Sequence, residues 1–216
     1  MSGVAVLIPT RDRKPQFLTA VESIRKTSSA QVFAYCDADA SPYGDVPGVT
    51  FVTGPRIGCA KSLNALAEWI TGNLPEVRTF AMMTDDSTMM SKDWDVALEA
   101  ALVLFPARIG VVSPRCSIGG AHRVDMPAMS REFFEAVGFY SHPEMCHYGW
   151  PSVIDALADG ICLRKMDDGS FDIEHKNIGS RISSFEHDAA EFYQWYAWHK
   201  DHGREALMNK IAESIR

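Results

Sequence analysis

The sequence has no run of about 18 uncharged apolar residues, the length a helix needs to cross a bilayer, and its first apolar stretch, Val4 to Ile8, stops at Pro9. No membrane span is expected. Nothing at the start reads as a leader, so the expected location is a cytoplasm, that of a host if the chain is viral. Cysteine is scarce and unpaired: the five are Cys36, Cys59, Cys116, Cys146 and Cys162, and none forms a Cys-x-x-Cys pair. An odd, scattered set argues against a disulfide framework or a zinc knuckle and reads as reduced thiols. Positive charge is also in deficit, with 21 Lys and Arg against 28 Asp and Glu, a formal net charge of -7. No segment concentrates basic residues as a phosphate-tracking surface would. Nucleic acid is thus not implied by charge, although Arg115, Arg123 and Arg131 are candidates for a local basic patch in three dimensions. Internal repeats, linkers and low-complexity tracts are missing as well.

What is present is an ordinary globular balance, 46% hydrophobic and 23% charged residues in 216, which suits one domain with a substantial core. Short β-branched or aromatic runs alternate with longer segments whose apolar residues recur at helical spacing, the pattern of parallel strands joined by crossover helices. Strands are predicted at Val4 to Ile8, Val32 to Cys36, Val49 to Thr53, Thr79 to Met83 and Ile109 to Ser113. Helices are predicted to carry Phe17, Leu18, Val21 and Ile24, then Ala60, Leu63, Ala67 and Ile70 up to Gly72. A third, with Ser91 as its N-cap, carries Trp94, Ala97, Leu98, Ala101 and Leu102. Beyond residue 115 the expectations are a helix from Ser130 to Val137 closed by Gly138, and a helix from Ser152 to Ala158 before Gly160. A hairpin is predicted to join Ile161–Met166 to Phe171–Glu174 through Asp168-Gly169. The last segment, with Phe192, Trp195, Tyr196 and His199 at helical spacing, predicts a helix that packs on the domain or on a second copy of the chain.

In an open parallel sheet, ligands bind beyond the carboxyl ends of the strands. Acids gather there: Asp12 after the first strand, Asp37 and Asp39 after the second, Asp85 and Asp86 after the fourth. Read alone, Asp85-Asp86-Ser87 is equally a turn. Two adjacent carboxylates delivered by a buried strand repel unless a cation or hydrogen-bond donors compensate them, and carboxylate oxygens suit Mg or Mn, which could also bridge a diphosphate.

Val4-Ala5-Val6-Leu7-Ile8-Pro9-Thr10-Arg11-Asp12-Arg13, Asp39-Ala40-Ser41, Gly58-Cys59-Ala60-Lys61-Ser62-Leu63-Asn64 and Phe80-Ala81-Met82-Met83-Thr84-Asp85-Asp86-Ser87 follow one another at intervals. In this order they resemble the nucleotide-binding half of GT-A glycosyltransferases, in particular the inverting enzymes related to chitin, cellulose and rhamnan synthases. The resemblance spans roughly the first 115 residues. It implies an α/β fold of GT-A (Rossmann-like) type in a single domain, a mostly parallel central sheet with helices on both faces, and a helical C-terminal tail. The domain would run over 1–185, with a nucleotide-binding half of about 1–115 and an acceptor half of about 116–185, followed by an appendage at 186–216.

The resemblance also implies a nucleoside-diphosphate-sugar donor, UDP-linked by preference, and Mn2+ or Mg2+ as cofactor. Donor contacts would come from Pro9, Thr10, Arg11, Asp12, Asp39, Arg56, Gly58, Lys61, Asn64 and Asp85. The metal would be held by Asp86, with His175 as a second ligand. Where the family presents an acidic pair after a segment like Pro127 to Phe139, this chain has His147-Tyr148-Gly149-Trp150-Pro151-Ser152-Val153-Ile154-Asp155. Asp155 is therefore the candidate catalytic base, and a solvated helix position is the alternative reading of the same residue. His175 has a purely structural alternative. The acceptor is open among a small molecule, a glycan and a hydroxymethylated base of viral DNA, and the aromatic tail allows a homo-oligomer. Two other classes compete. A nucleotidyltransferase would place a glycine-rich loop after the first strand, and Pro9 to Arg13 contains no glycine. A nucleotide-sugar-binding protein without catalysis would explain the missing acidic pair.

Overall fold

The computed structural model describes residues 2–117, 126–143, 145, 150–166, 168–175 and 204–213. Its first half alternates as expected: β1 (Val4–Thr10), α1 (Lys14–Thr27), β2 (Gln31–Asp37), β3 (Val49–Gly54), α2 (Cys59–Asn73) and β4 (Thr79–Met82). Then come β5 (Ser87–Met89), α3 (Trp94–Leu102), a 3-10 turn at Pro106–Arg108, β6 (Val111–Ser113), β7 (Arg115–Cys116), β8 (Ala128–Ser130) and α4 (Arg131–Val137). The series closes with α5 (Trp150–Ala158), β9 (Leu163–Lys165) and β10 (Asp172–His175), followed by a last helix, α6, at 204–213.

Seven strands form the main sheet in the order β3-β2-β1-β4-β8-β6-β9, and β5-β10-β7 form a second, small sheet. β3, β2, β1 and β4 are mutually parallel; β8 runs antiparallel between β4 and β6, and β9 is parallel to β6. β6 and β9 therefore point the same way as β1 and β4, and their carboxyl ends share one edge.

Strands β1 and β4 are apolar almost throughout because both of their faces are covered: Val4 to Ile8 and Phe80 are wholly buried. Phe33 and Ala34 face opposite sides of β2, and Phe51 is registered with Ala34. Phe33 meets Trp69 of α2, while Phe51 meets Phe17 of α1. Helices α1 and α2 thus clamp the sheet from opposite faces. At α4, Ser130 caps the helix by accepting the Phe133 N–H at 3.1 Å, and Gly138 closes it at φ 88, a left-handed conformation that a glycine enters without steric cost.

Several expectations need correction. The hairpin through Asp168-Gly169 is not formed, because β9 pairs with β6 in the main sheet and β10 pairs with β5 and β7 in the small one. Ser91 does not cap α3. Its hydroxyl donates to the Gly169 carbonyl at 2.7 Å and accepts the Asp172 N–H at 2.8 Å, tying β5 to the strand that follows Gly169, and Asp93 in a left-handed conformation (φ 53) precedes the helix. Helix α2 runs one residue past Gly72, to Asn73.

The basic patch does not form from Arg131, which is buried and bonds to carbonyls at the end of α2, while Arg115 pairs with Asp172. Arg123 and the aromatic stripe Phe192 to His199 lie outside the described residues. Helix α6 is anchored by two cations at helix ends: Arg204 donates to the Asp159 carbonyl at 2.8 Å and Lys210 to that of Ala136 at 2.6 Å, with Leu207 buried beneath. No described helix is long and apolar enough to cross a membrane.

Candidate active site

The carboxyl edge of the sheet carries two polar clusters. The first is built on Asp85 and Asp86, which leave the buried end of β4 and are themselves buried. The Thr10 hydroxyl, at the end of β1, donates to Asp85 Oδ2 at 2.9 Å and lies 2.7 Å from the Tyr43 hydroxyl. That hydroxyl in turn accepts the Arg13 N–H at 3.1 Å. The chain from Arg13 N–H through Tyr43 and Thr10 to Asp85 leaves no member unpaired, which is what a buried polar network requires. Arg13 then folds back so that its Nη1 lies 3.4 Å from Asp85 Oδ1 and 3.5 Å from Asp86 Oδ2.

His175 reaches the same place from the small sheet. Antiparallel pairing of β10 with β5 registers His175 opposite Ser87, the residue after Asp86, and its Nε2 stands 3.2 Å from Asp86 Oδ1. Hydrogen bonds to Asp86 and Cys116 raise the imidazole to about 9, against its burial, so His175 is a cation at neutral pH. Burial alone would push Asp86 up, but His175, Thr84 and the Arg13 charge outweigh it and hold Asp86 at about 2. For Asp85, burial is the larger effect and its carboxyl is raised despite Thr10 and Arg13. Burial, with Asp85 and Asp86 as nearby charges, pushes the Cys59 thiol up to about 12, which places the start of α2 beside the acid pair. Gly58 precedes that helix at φ 83.

The second cluster surrounds Arg11. Its guanidinium forks onto Asp39, with Nη1 to Oδ1 at 2.6 Å and Nη2 to Oδ2 at 3.2 Å, and Nη1 also donates to Asp37 Oδ2 at 2.9 Å. Asp12, at a left-handed φ of 55, accepts the Ser41 N–H at 2.9 Å and so ties the β1 loop to the β2 loop. Arg56 adds its charge near Asp39.

Most of the predicted residues thus fall into the two clusters. Thr10, Asp85, Asp86 and His175 come together, as do Arg11, Asp12, Asp39 and Arg56. Pro9 continues β1 into both clusters, opposite Tyr35. Gly58 and Lys61 sit at and just inside the start of α2, and Asn64 lies one turn further along it. The Asn64 carboxamide holds a neighbouring loop: it donates to the Ser141 carbonyl and accepts the N–H groups of Tyr140 and Ser141, each at 2.8 Å. Asp155, on α5, has its carboxyl raised by burial, with the charges of Lys165 and Asp159 acting in opposite directions, and its Oδ1 is buried without a hydrogen-bond partner among the described residues. Lys165 ends β9 opposite Ser113 of β6, on the carboxyl edge.

The sequence reading did not place Tyr43, Arg13 or Cys116 in the site, and it put Asp37 on the ligand edge without giving it a contact. Arg13 had a signal, its position directly after the loop, whereas Tyr43 and Cys116 are joined to the cluster by distant chain segments alone.

A divalent cation fits this donor set in part. Asp86 supplies an oxygen acceptable to Mn or Mg, and His175 a nitrogen only once its imidazole gives up the proton that faces Asp86; no group of three metal-binding side chains is gathered among the described residues. The remaining coordination positions would fall to ligand oxygens and water, as is usual where these ions bind with phosphates.

Solved structures with the same architecture exist. The S. aureus protein TarS (1-349) in complex with UDP-GlcNAc superposes with a TM-score of 0.66 at 11% identity, over 96% of this chain and 72% of that one. Its complex with UDP gives 0.64 at 11% identity, over 96% and 71%. The mannosyltransferase PcManGT from Pyrobaculum calidifontis, in complex with GDP-Man and Mn2+, gives 0.58 at 14% identity, over 98% and 74%. The chain has the GT-A fold. No protein-family profile and no curated protein matches the sequence, so the likeness is one of fold, carried by 11–14% identity. In GT-A terms, the acid pair and both clusters lie at the end of the parallel half of the sheet, where ligands of such sheets bind.

Proposed function

We propose that this chain is a glycosyltransferase that takes a sugar from a nucleoside diphosphate, UDP-linked by preference, with Mn2+ or Mg2+, and passes it to a hydroxyl acceptor with inversion. The observation that carries the reading is the meeting of Asp86 with His175 at 3.2 Å beside Asp85 and Arg13, on the carboxyl edge of a GT-A sheet. The superposed structures, complexes with UDP, with UDP-GlcNAc and with GDP-Man and Mn2+, support the donor class.

On this reading Asp86, and His175 once deprotonated, would hold the cation, which when bound would supply positive charge to a departing diphosphate. Thr10 and the Tyr43 hydroxyl fix Asp85, which faces the ribose or the cation. Asp39, oriented by Arg11, faces the base or ribose, and the start of α2 at Gly58 and Lys61 borders the diphosphate. Asp155 removes the proton of the acceptor hydroxyl as its oxygen bonds to the anomeric carbon and the bond from that carbon to the diphosphate breaks. A carboxyl raised by burial is a stronger base than an exposed one, which suits this role. The acceptor is a small molecule, a glycan or a hydroxymethylated DNA base.

The test is a panel of UDP- and GDP-sugars incubated with the purified protein with and without MnCl2, followed by nucleotide release. The reading expects metal-dependent release from at least one donor. Donor binding without release would favour a non-catalytic binding protein, and release from none, with no binding, would remove the proposal.

A further inference from the structure

Asn64, expected from the sequence to touch the donor, has a carboxamide nearly saturated by one backbone corner of the second half of the chain. Its oxygen accepts the N–H groups of Tyr140 and Ser141 and its nitrogen donates to the Ser141 carbonyl, each at 2.8 Å. Both lone pairs of the oxygen and one of the two N–H groups are thereby used. The Ser141 hydroxyl donates to the Ala60 carbonyl, four residues before Asn64 and so on the same face of α2. Tyr140 and Ser141 are wholly buried, where a polar group left unpaired is costly. On its other side the corner reaches β4. The Tyr140 hydroxyl donates to the Pro127 carbonyl, and the Met82 N–H donates to that same carbonyl at 3.4 Å. Met82 ends the strand that delivers Asp85 and Asp86. The corner at 140–141 is therefore wedged between the first two turns of α2 and the end of β4, the same two elements that meet where Cys59 feels the charges of the acid pair.

We propose that Asn64 is a positioning residue: with Ser141 it locks α2 onto the 140–141 corner and, through Tyr140 and the Pro127 carbonyl, sets the start of α2 at Gly58 and Lys61 against the acid pair, so that a diphosphate is met from both sides. This rests on reading the site as a metal and diphosphate site. The base and ribose side stands apart from the clamp. Asp37, Asp39 and Arg11 come from the ends of β2 and β1, and none of the clamp's hydrogen bonds involves those strands. A small shift of α2 therefore leaves the nucleoside in place and loosens the phosphates, because hydrogen bonds to phosphate oxygens weaken steeply as distance and alignment are lost.

The test measures the affinities of UDP and UMP by calorimetry in MnCl2 for the wild type, Asn64→Ala and Ser141→Ala, with GDP and GMP in their place should the wild type favour guanine. Asn64→Ala removes the three carboxamide bonds, whereas Ser141→Ala removes only the hydroxyl bond to Ala60. Both variants are expected to weaken the diphosphate more than the monophosphate. The ratio of the two affinities should fall by about tenfold in Asn64→Ala, the size of one lost charge-assisted contact, and by about threefold in Ser141→Ala. A ratio unchanged in both variants overturns the proposal while the donor-site reading stands on the wild type's preference for the diphosphate. A loss confined to Asn64→Ala also overturns it, by assigning Asn64 a direct contact with the nucleotide. Equal losses for both nucleotides overturn it as well, since they mark a general structural role. No Mn2+-dependent binding of either diphosphate by the wild type overturns both the proposal and the donor-site reading. Should Asn64→Ala fail to fold, Ser141→Ala carries the test through the same ratio.

Discussion

Asp85 and Asp86 are neighbours in sequence and titrate in opposite directions. Burial dominates at Asp85, whereas His175, Thr84 and Arg13 overcome it at Asp86. An environment that shifts two adjacent acids in opposite directions gives them different tasks, and Asp86 is held firmly as a carboxylate. Its partnership with His175 has a pH signature. The imidazole is raised to about 9 in the folded protein from an ordinary value of 6.5, so its stabilising contribution is complete below about pH 6.5 and is lost as pH rises through about 9. Between pH 6.5 and 9.5 the metal-free wild type should therefore lose thermal stability faster than His175→Ala, as read by melting curves. Parallel curves would show that the pair contributes nothing. At Asp155 the expectation is kinetic: Asp155→Asn should lower transfer by about 10²- to 10⁴-fold with donor affinity unchanged. A loss of donor affinity instead would assign Asp155 to binding. The sequence pointed to the acid pair because a strand of buried residues ending in two carboxylates is a local pattern. Tyr43 escaped it because its role arises from a hydroxyl reaching Thr10, 33 positions away in the chain, and nothing in Ser41-Pro42-Tyr43-Gly44 distinguishes such a tyrosine from a loop aromatic.

At the scale of elements, what the sequence disclosed depended on whether an element is defined by its own residues or by its partner. Helix α4 was legible at both ends, since the Ser130 cap and the Gly138 stop are local chemistry. Strands β9 and β10 were recognised as strands, but Asp168-Gly169 is a turn signal that does not say which strands the flanking segments join. Pairing with β6 on one side and with β5 and β7 on the other is decided by packing remote in sequence. That pairing matters for the site, because β10 opposite β5 is what carries His175 to Asp86. Arg131 illustrates the same limit. Read as a surface cation, it is instead a buried staple whose guanidinium donates to the carbonyls of Leu74, Pro75 and Val77 at 2.9 to 3.1 Å and also to that of Thr71, closing the end of α2. Arg131→Ala should strip these carbonyls of their donors and destabilise the fold by roughly 3 kcal/mol. In a domain of this length that lowers Tm by about 6–12 °C in a thermal melt. A change under about 2 °C would show that the staple is dispensable.

For the whole molecule, the alternation of strands and helices fixed the class of fold and the edge on which acids would gather, because both follow from chain direction in a parallel sheet. The antiparallel insertion of β8 between β4 and β6 and the separate small sheet depend on long-range pairing and could not be read. The two clusters join β1, β2, β4 and β10, elements drawn from nearly the whole described chain, around one acidic corner. The account as a whole therefore stands on what that corner binds. The most direct measurement is calorimetric titration of UDP-sugars and GDP-sugars into wild type and Asp86→Ala, in the presence and absence of Mn2+ or Mg2+. The account predicts that a divalent cation promotes association of at least one sugar nucleotide with the wild type, and that Asp86→Ala abolishes the promotion. Association that is indifferent to both cations, or unaltered in Asp86→Ala, would contradict it.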